Sequence, residues 1–179
     1  MQPRIPRQPA VAQDGPRPAG NDADVRFGAA LAPVVSGARR RAVRDGDRQI
    51  DTAHLLHSLL EYDPEACAVL GEGPRPARLL GYLVQRSIGY GLRWQSAVED
   101  SAALPVVIGA DGFSPLAAAA MEYAARRAEG RGAAWACGLD LLAALVMDPQ
   151  ARAVEVLGRA ALAPDEILTR VLERLEPTP

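Results

Sequence analysis

The sequence has no lysine: all 20 of its basic residues are arginine. That removes the phosphate-binding lysine of a Walker loop and any lysine Schiff base from this chain. An all-arginine complement reads as the base composition of a gene rather than as a function. Cysteine is scarce too. Cys67 and Cys137 stand far apart, form no metal-ligand spacing and no redox pair, and read as reduced thiols of a cytoplasmic protein. No apolar run reaches membrane-spanning length. The N-terminal arginines are followed by no apolar h-region, so no secretory signal is expected. With a formal net charge of -2, nothing global draws the chain to nucleic acid.

Aromatic residues make up only 4% of the chain, while alanine, leucine and valine abound, a mixture that favours helices over strands. At 179 residues there is length for one compact domain with a sizeable core and a tail. The most informative feature is an internal echo at an offset of 86. It places Phe27 on Phe113, Ala32 on Ala118, Ala38 on Ala124, Arg40 and Arg41 on Arg126 and Arg127, and Ala42 on Ala128. It also places Gly46 on Gly132, and Leu55, Leu56 and Leu59 on Leu141, Leu142 and Leu145. A repeat of this kind predicts two copies of one helical unit packed together.

Residues 1–23 hold five prolines among glycine and polar residues and are expected to be a disordered tail. Asp24 can cap a helix to about Asp45, with Leu31, Val34, Val35, Ala38 and Ala42 inward and Pro33 expected to kink or restart it. Asp51 caps a second helix to about Tyr62, its core face Leu55, Leu56, Leu59 and Leu60. Asp63-Pro64 opens a short third helix to Leu70. A fourth runs from about Arg75 with Leu79, Leu80, Leu83 and Val84 inward, reaching Ile88 and weakening at Gly89 and Gly91 towards Trp94. Residues 95–112 read as an irregular linker. The second unit repeats the order. Ser114-Pro115 starts a helix to Gly130, with Leu116, Ala117, Ala120, Met121 and Ala124 inward. Gly138–Met147 follows, Asp148-Pro149 is expected to open the third helix, and Pro164 opens the last, with Ile167, Leu168, Val171, Leu172 and Leu175 inward. The expected architecture is all-α: two tandem pseudo-twofold four-helix repeats over 24–176, divided as 24–94 and 113–176.

This order resembles the Clp N-terminal repeat domain, the leading module of the ClpA, ClpB and ClpC unfoldases. There each repeat opens with Phe-Ser/Thr and an Ala-rich helix, followed by a second helix of the form Ile-Gly-Thr-Glu-His-Ile-Leu-Leu. Phe113-Ser114-Pro115 is similar to the opening. Ile50-Asp51-Thr52-Ala53-His54-Leu55-Leu56 is similar to the second helix, and Ala136-Cys137-Gly138-Leu139-Asp140-Leu141-Leu142 keeps its leucine core. The resemblance implies a non-catalytic module that recruits or sequesters peptides, degrons, adaptors or a Clp unfoldase, with a cyclic peptide as a further ligand. It implies no cofactor. The unfoldases' ATP-hydrolysing modules have no counterpart in these 179 residues. In the ClpC branch the glutamate before the histidine helps bind phosphoarginine. Ala53 and Leu139 take that place here and can neither accept a guanidinium hydrogen bond nor oppose its charge, so phosphoarginine reading is not carried over.

Several residue groups suggest chemistry. Phe27 and Phe113 open equivalent helices, and a pseudo-twofold axis would bring them together. With Leu31 and Leu116 they would line a ligand groove between the repeats; the plainer reading makes them core residues at helix starts. His54, His57 and Glu61 share a helix face and offer three zinc-type ligands, but His54 sits at the family's structural histidine, so no metal is expected. Arg39, Arg40, Arg41, Arg44 and Arg48 could meet phosphates, which is the alternative reading: a nucleic-acid-associated regulator. Their repetition as Arg126 and Arg127 beside Glu122 and Glu129, with no interleaved aromatics, instead points to a solvated face of local ion pairs. No Gly-x-Ser-x-Gly elbow exists and both histidines lie on one helix, so no hydrolase is expected.

Overall fold

The computed structural model describes residues 28–87, 99 and 112–175. The expected tail 1–23, the Asp24 cap, Phe27, the stretch Ile88 to Trp94 and the linker other than Glu99 and Gly112 lie outside the described residues. Among the described residues the chain forms eight helices and no strand. The first repeat holds α1 (Gly28–Asp45), α2 (Thr52–Tyr62), α3 (Pro64–Val69) and α4 (Pro74–Ser87). The second holds α5 (Pro115–Gly130), α6 (Gly138–Met147), α7 (Arg152–Arg159) and α8 (Pro164–Leu175).

Local chemistry explains most of these bounds. The Asp51 carboxylate accepts the His54 amide at 2.8 Å, and the His54 ring accepts the Asp51 amide at 3.1 Å, closing a capping box at α2. Asp63 ends α2 and starts α3, its Oδ1 accepting from the Glu65 and Ala66 amides, each at 2.9 Å. Ser114 caps α5 by accepting from the Ala117 amide at 3.2 Å, with Pro115 at the first helical position. The glycine of the 86-residue echo does the same work twice. Gly46 and Gly132 follow the first helix of each repeat with φ of +74° and +73°, a left-handed conformation that glycine adopts without steric cost.

The core lies between α2 and α6, which meet at the centre, α1 covering one and α5 the other. Leu55, Leu56, Leu59, Leu141, Leu142 and Leu145 are fully buried there. Each contributes roughly 1.5–3 kcal/mol through burial. The short third helices cross over: α3 packs on α6, and α7 packs on α2. The fourth helices part from symmetry, since α8 lies along α6 of its own repeat whereas α4 crosses to α7 of the other.

Three expectations are corrected. Pro33 does not interrupt α1, which is continuous from Gly28 to Asp45. Pro33 is exposed, so the carbonyl one turn back that loses its N–H partner can turn to water. Leu80 and Val84 are 37% and 51% exposed: α4 packs through Leu79 and Leu83, with Tyr82 partly buried beside them, a stripe one position round the helix. On α8, likewise, Ile167 and Val171 are buried while Leu172 is exposed. Finally, α7 starts at Arg152 rather than at Pro149. Asp148 closes a turn instead, accepting the Gln150 amide on its side chain at 2.7 Å and the Ala151 amide on its carbonyl at 3.0 Å. The N-cap of α7, Ala151, has no side chain that can serve as a cap.

Candidate functional site: the seam between the repeats

The two repeats are joined through the backbone where α2 and α5 begin. Ile50 donates its amide to the Gly112 carbonyl at 2.6 Å and accepts from the Ser114 amide at 2.8 Å, an isolated parallel bridge between Ile50 and Phe113. This bridge sets the start of α2 beside the start of α5, and α7 begins next to both. Three helix N-termini therefore converge, each presenting amides that have no acceptor within its helix.

Glu99 fills that place. Its Oε2 accepts from the Thr52 amide at 2.9 Å and from Ser114 Oγ at 2.8 Å. Its Oε1 accepts from the Arg152 amide at 2.7 Å and from the Thr52 hydroxyl. Glu99 thereby supplies the cap that Ala151 cannot give α7. The partial positive ends of α2 and α7 offset the cost of burying its charge. Beside it the Arg152 guanidinium donates to Asp51 Oδ2 at 2.7 Å, a nearly dry ion pair between the repeats. The sequence reading passed over Glu99 because nothing near it in the chain marks it. All four donors come from residues at least 15 positions away.

The same junction exists once more with different parts. In the second repeat Gly138 stands where Thr52 stands in the first, and the Asp63 carboxylate occupies the space that a Cβ on Gly138 would need. Asp63 caps α3 beside the start of α6, as Glu99 caps α7 beside the start of α2.

Of the expected groove residues, Phe113 is 6% exposed, Leu31 is fully buried and Leu116 is 3% exposed, so they offer a ligand little surface of their own. Phe27 lies outside the described residues. An aromatic that the sequence reading did not single out does reach the surface. Trp135, just before α6, is 55% exposed. It lies over Gly28 at the start of α1, so close that a Cβ there would meet the Trp135 side chain at 2.8 Å. Gly28 has φ of +75°, so both conformation and space call for glycine.

His54, His57 and Glu61 do not converge on a metal. Glu61 pairs with Arg41 at 2.6 Å. His57 is buried, and burial together with the Arg41 charge lowers its pKa from 6.5 to about 4, so it is neutral at pH 7. His54 Nε2 instead faces Asp47 at 3.3 Å and Asp45 at 3.5 Å. Ligand atoms of Asp47, Asp51 and His54 do come within 4.8 Å of one another. However, both Asp51 oxygens are already used, one by the α2 cap and the other by Arg152.

The arginine stretch is largely occupied with local partners. Arg40 donates to the Tyr62 hydroxyl at 2.8 Å, Arg41 to Glu61, and Arg44 to Asp45 at 3.3 Å. In the second repeat Arg126 pairs with Glu122 at 3.3 Å, and Arg127 faces Asp140 at 3.7 Å. No serine or cysteine among the described residues hydrogen-bonds a histidine. Burial raises the pKa of the Cys137 thiol, and its Sγ donates to Asp140.

No family model matches the chain, and no curated protein matches it. Among solved structures it is similar to the crystal structure of the N-terminal domain of the caseinolytic protease associated chaperone ClpD from Arabidopsis thaliana. The TM-score is 0.60 at 21% sequence identity, covering 86% of this chain and 96% of that one. The chain has the fold of a Clp N-terminal domain. At the two positions matched to the ClpC-branch glutamate, Ala53 is fully buried and Leu139 is 2% exposed. No helix among the described residues is long and apolar enough to cross a membrane.

Proposed function

We propose that this chain is a non-catalytic docking module, which binds peptides, degrons, adaptor proteins or a Clp unfoldase at the seam between its repeats. The fold, that of a docking domain, supports the class. The observation that carries the location is Trp135, an exposed indole of the second repeat braced on Gly28 of the first. A rigid, half-exposed tryptophan beside an inter-domain seam suits an anchor for an extended chain, because it offers large apolar area at little entropic cost. Delivery of substrates and their sequestration both follow from such binding. A cyclic peptide ligand is accommodated by the same reading. The ion-paired arginine stretch gives the nucleic-acid alternative no added support.

The test is a fluorescence titration of the purified chain with Clp unfoldase N-terminal partners, adaptors and degron peptides. Trp135→Ala is expected to weaken binding about tenfold or more, on the scale of an interface hot spot, while leaving the thermal midpoint within a degree or two of the parent. Binding unaffected by Trp135→Ala would move the site elsewhere. Absence of binding to every Clp component would overturn the reading itself.

A further inference from the structure

Among the described residues, the donors around Glu99 come from the starts of three helices distant from it in the chain. Its donors are the Thr52 amide and hydroxyl, the Ser114 hydroxyl and the Arg152 amide, drawn from three helices. Their orientation is fixed in advance. Thr52 Oγ1 accepts from the Ala153 amide at 3.0 Å, and Ser114 Oγ accepts from the Ala117 amide at 3.2 Å. With those lone pairs engaged, each hydroxyl proton is directed at the carboxylate. Thr52 and Ser114 are each 1% exposed, so water does not compete for them. Two donors meet each oxygen, which saturates a planar carboxylate. A tetrahedral phosphate would bring a third charged oxygen for which no donor remains among the described residues.

We infer that the inter-repeat seam is a carboxylate-binding site which the chain fills with its own Glu99, and that the site takes a carboxylate in trans once that side chain is removed. An acidic side chain or a free chain terminus reaches the seam only by displacing Glu99, which competes with the high effective concentration of a tethered group.

The experiment uses the full chain with Glu99→Ala and follows thermal unfolding by circular dichroism in sodium acetate, sodium phosphate and sodium chloride at matched ionic strength. The expected result is a lowered midpoint in chloride, and a saturable rise of several degrees in acetate. That rise is absent in phosphate, in the parent chain and in Glu99→Ala/Ser114→Ala. Should Glu99→Ala be unfolded in chloride, acetate is expected to restore its helicity. Three outcomes would overturn the inference: a midpoint for Glu99→Ala equal to the parent's, the same response to acetate and chloride, or a variant that stays unfolded in acetate. A rise in phosphate equal to that in acetate would overturn the carboxylate selectivity.

Discussion

His54 and Asp140 hold the same place in the two repeats with different side chains. Each is the third residue of its repeat's second helix and accepts the backbone amide that precedes that helix, from Asp51 at 3.1 Å and from Cys137 at 3.0 Å. Each also meets the residue that ends the first helix. His54 faces Asp45 at 3.5 Å, while Asp140 is bonded to Arg131, the residue 86 positions after Asp45. The residue types are exchanged between the repeats while the contact is kept: an imidazole faces a carboxylate in the first, and a carboxylate faces a guanidinium in the second.

That exchange makes a prediction about swaps. Asp140→His would place an imidazole beside Arg127 and Arg131, and its stability cost should grow on acidification as the ring charges. At pH 7 the loss is expected to be about 3 kcal/mol, the usual scale for breaking a buried pair from one side. The double variant Arg131→Asp/Asp140→His copies the first repeat and should recover part of it. Urea unfolding at pH 5.5 and pH 8 measures both. A double variant no better than Asp140→His alone would show that the two sites are not interchangeable.

His57 gives the pH dependence a direction. Its pKa is lowered to about 4 by burial first and by Arg41 next, with Glu61 opposing. Between about 4 and 6.5 the unfolded chain binds a proton at this residue that the folded chain does not. Its contribution to stability is complete above pH 6.5 and is lost as the pH falls towards 4. His57→Gln should therefore flatten stability against pH across that window, and Arg41→Gln should raise the His57 pKa in a proton NMR titration. A His57 resonance that titrates near 6.5 would contradict the burial argument.

Much of the scaffold was legible because its signals are local. Asp51, Asp63 and Ser114 mark helix starts within three residues of where they act, and Gly46 and Gly132 mark the ends of the first helices through a backbone conformation that glycine favours. The misreadings fall where the deciding group is distant. Asp148-Pro149 carries the same local signal as Asp63-Pro64, but α7 begins later, where Glu99, 53 positions away, supplies the cap. Leu80 and Val84 have helical spacing as good as that of Leu79 and Leu83. Only the crossing of α4 onto α7 decides which stripe is buried. At the seam, the low exposure of Phe113 and Leu116 agrees with the plainer expectation of core residues at helix starts, while Trp135 and Glu99 stand outside the helices, with no periodic pattern to single them out.

Ser114 links the local and the distant parts. It caps α5 through Ala117 and donates to Glu99 across the seam. Ser114→Ala should cost about 1–2 kcal/mol as a lost helix cap, and the loss of one of the two donors to Glu99 Oε2, which keeps the Thr52 amide, should take the total beyond that of an ordinary cap. Ser114→Thr keeps the hydroxyl and should restore most of the loss. Equilibrium urea unfolding of the two variants separates a hydroxyl requirement from a size requirement.

Two glycines should respond in opposite directions to the same substitution. Gly138 opens α6 where a Cβ would overlap the Asp63 carboxylate, its Cγ only 2.6 Å away, and would press on Leu59 Cδ1 at 3.1 Å. Asp63 cannot retreat without releasing the two amides it caps at α3. Gly138→Ala is therefore expected to destabilise the chain by about 1–3 kcal/mol, the cost of overpacking a filled site. Gly81 lies mid-helix in α4 with nothing within 4 Å of its Cβ direction. There alanine restricts the unfolded chain and favours the helix, so Gly81→Ala should stabilise by about 0.5–1 kcal/mol. Urea midpoints measured side by side decide it. A neutral Gly138→Ala would mean that Asp63 is free to move, and the likeness drawn between the Asp63 and Glu99 junctions would fail with it.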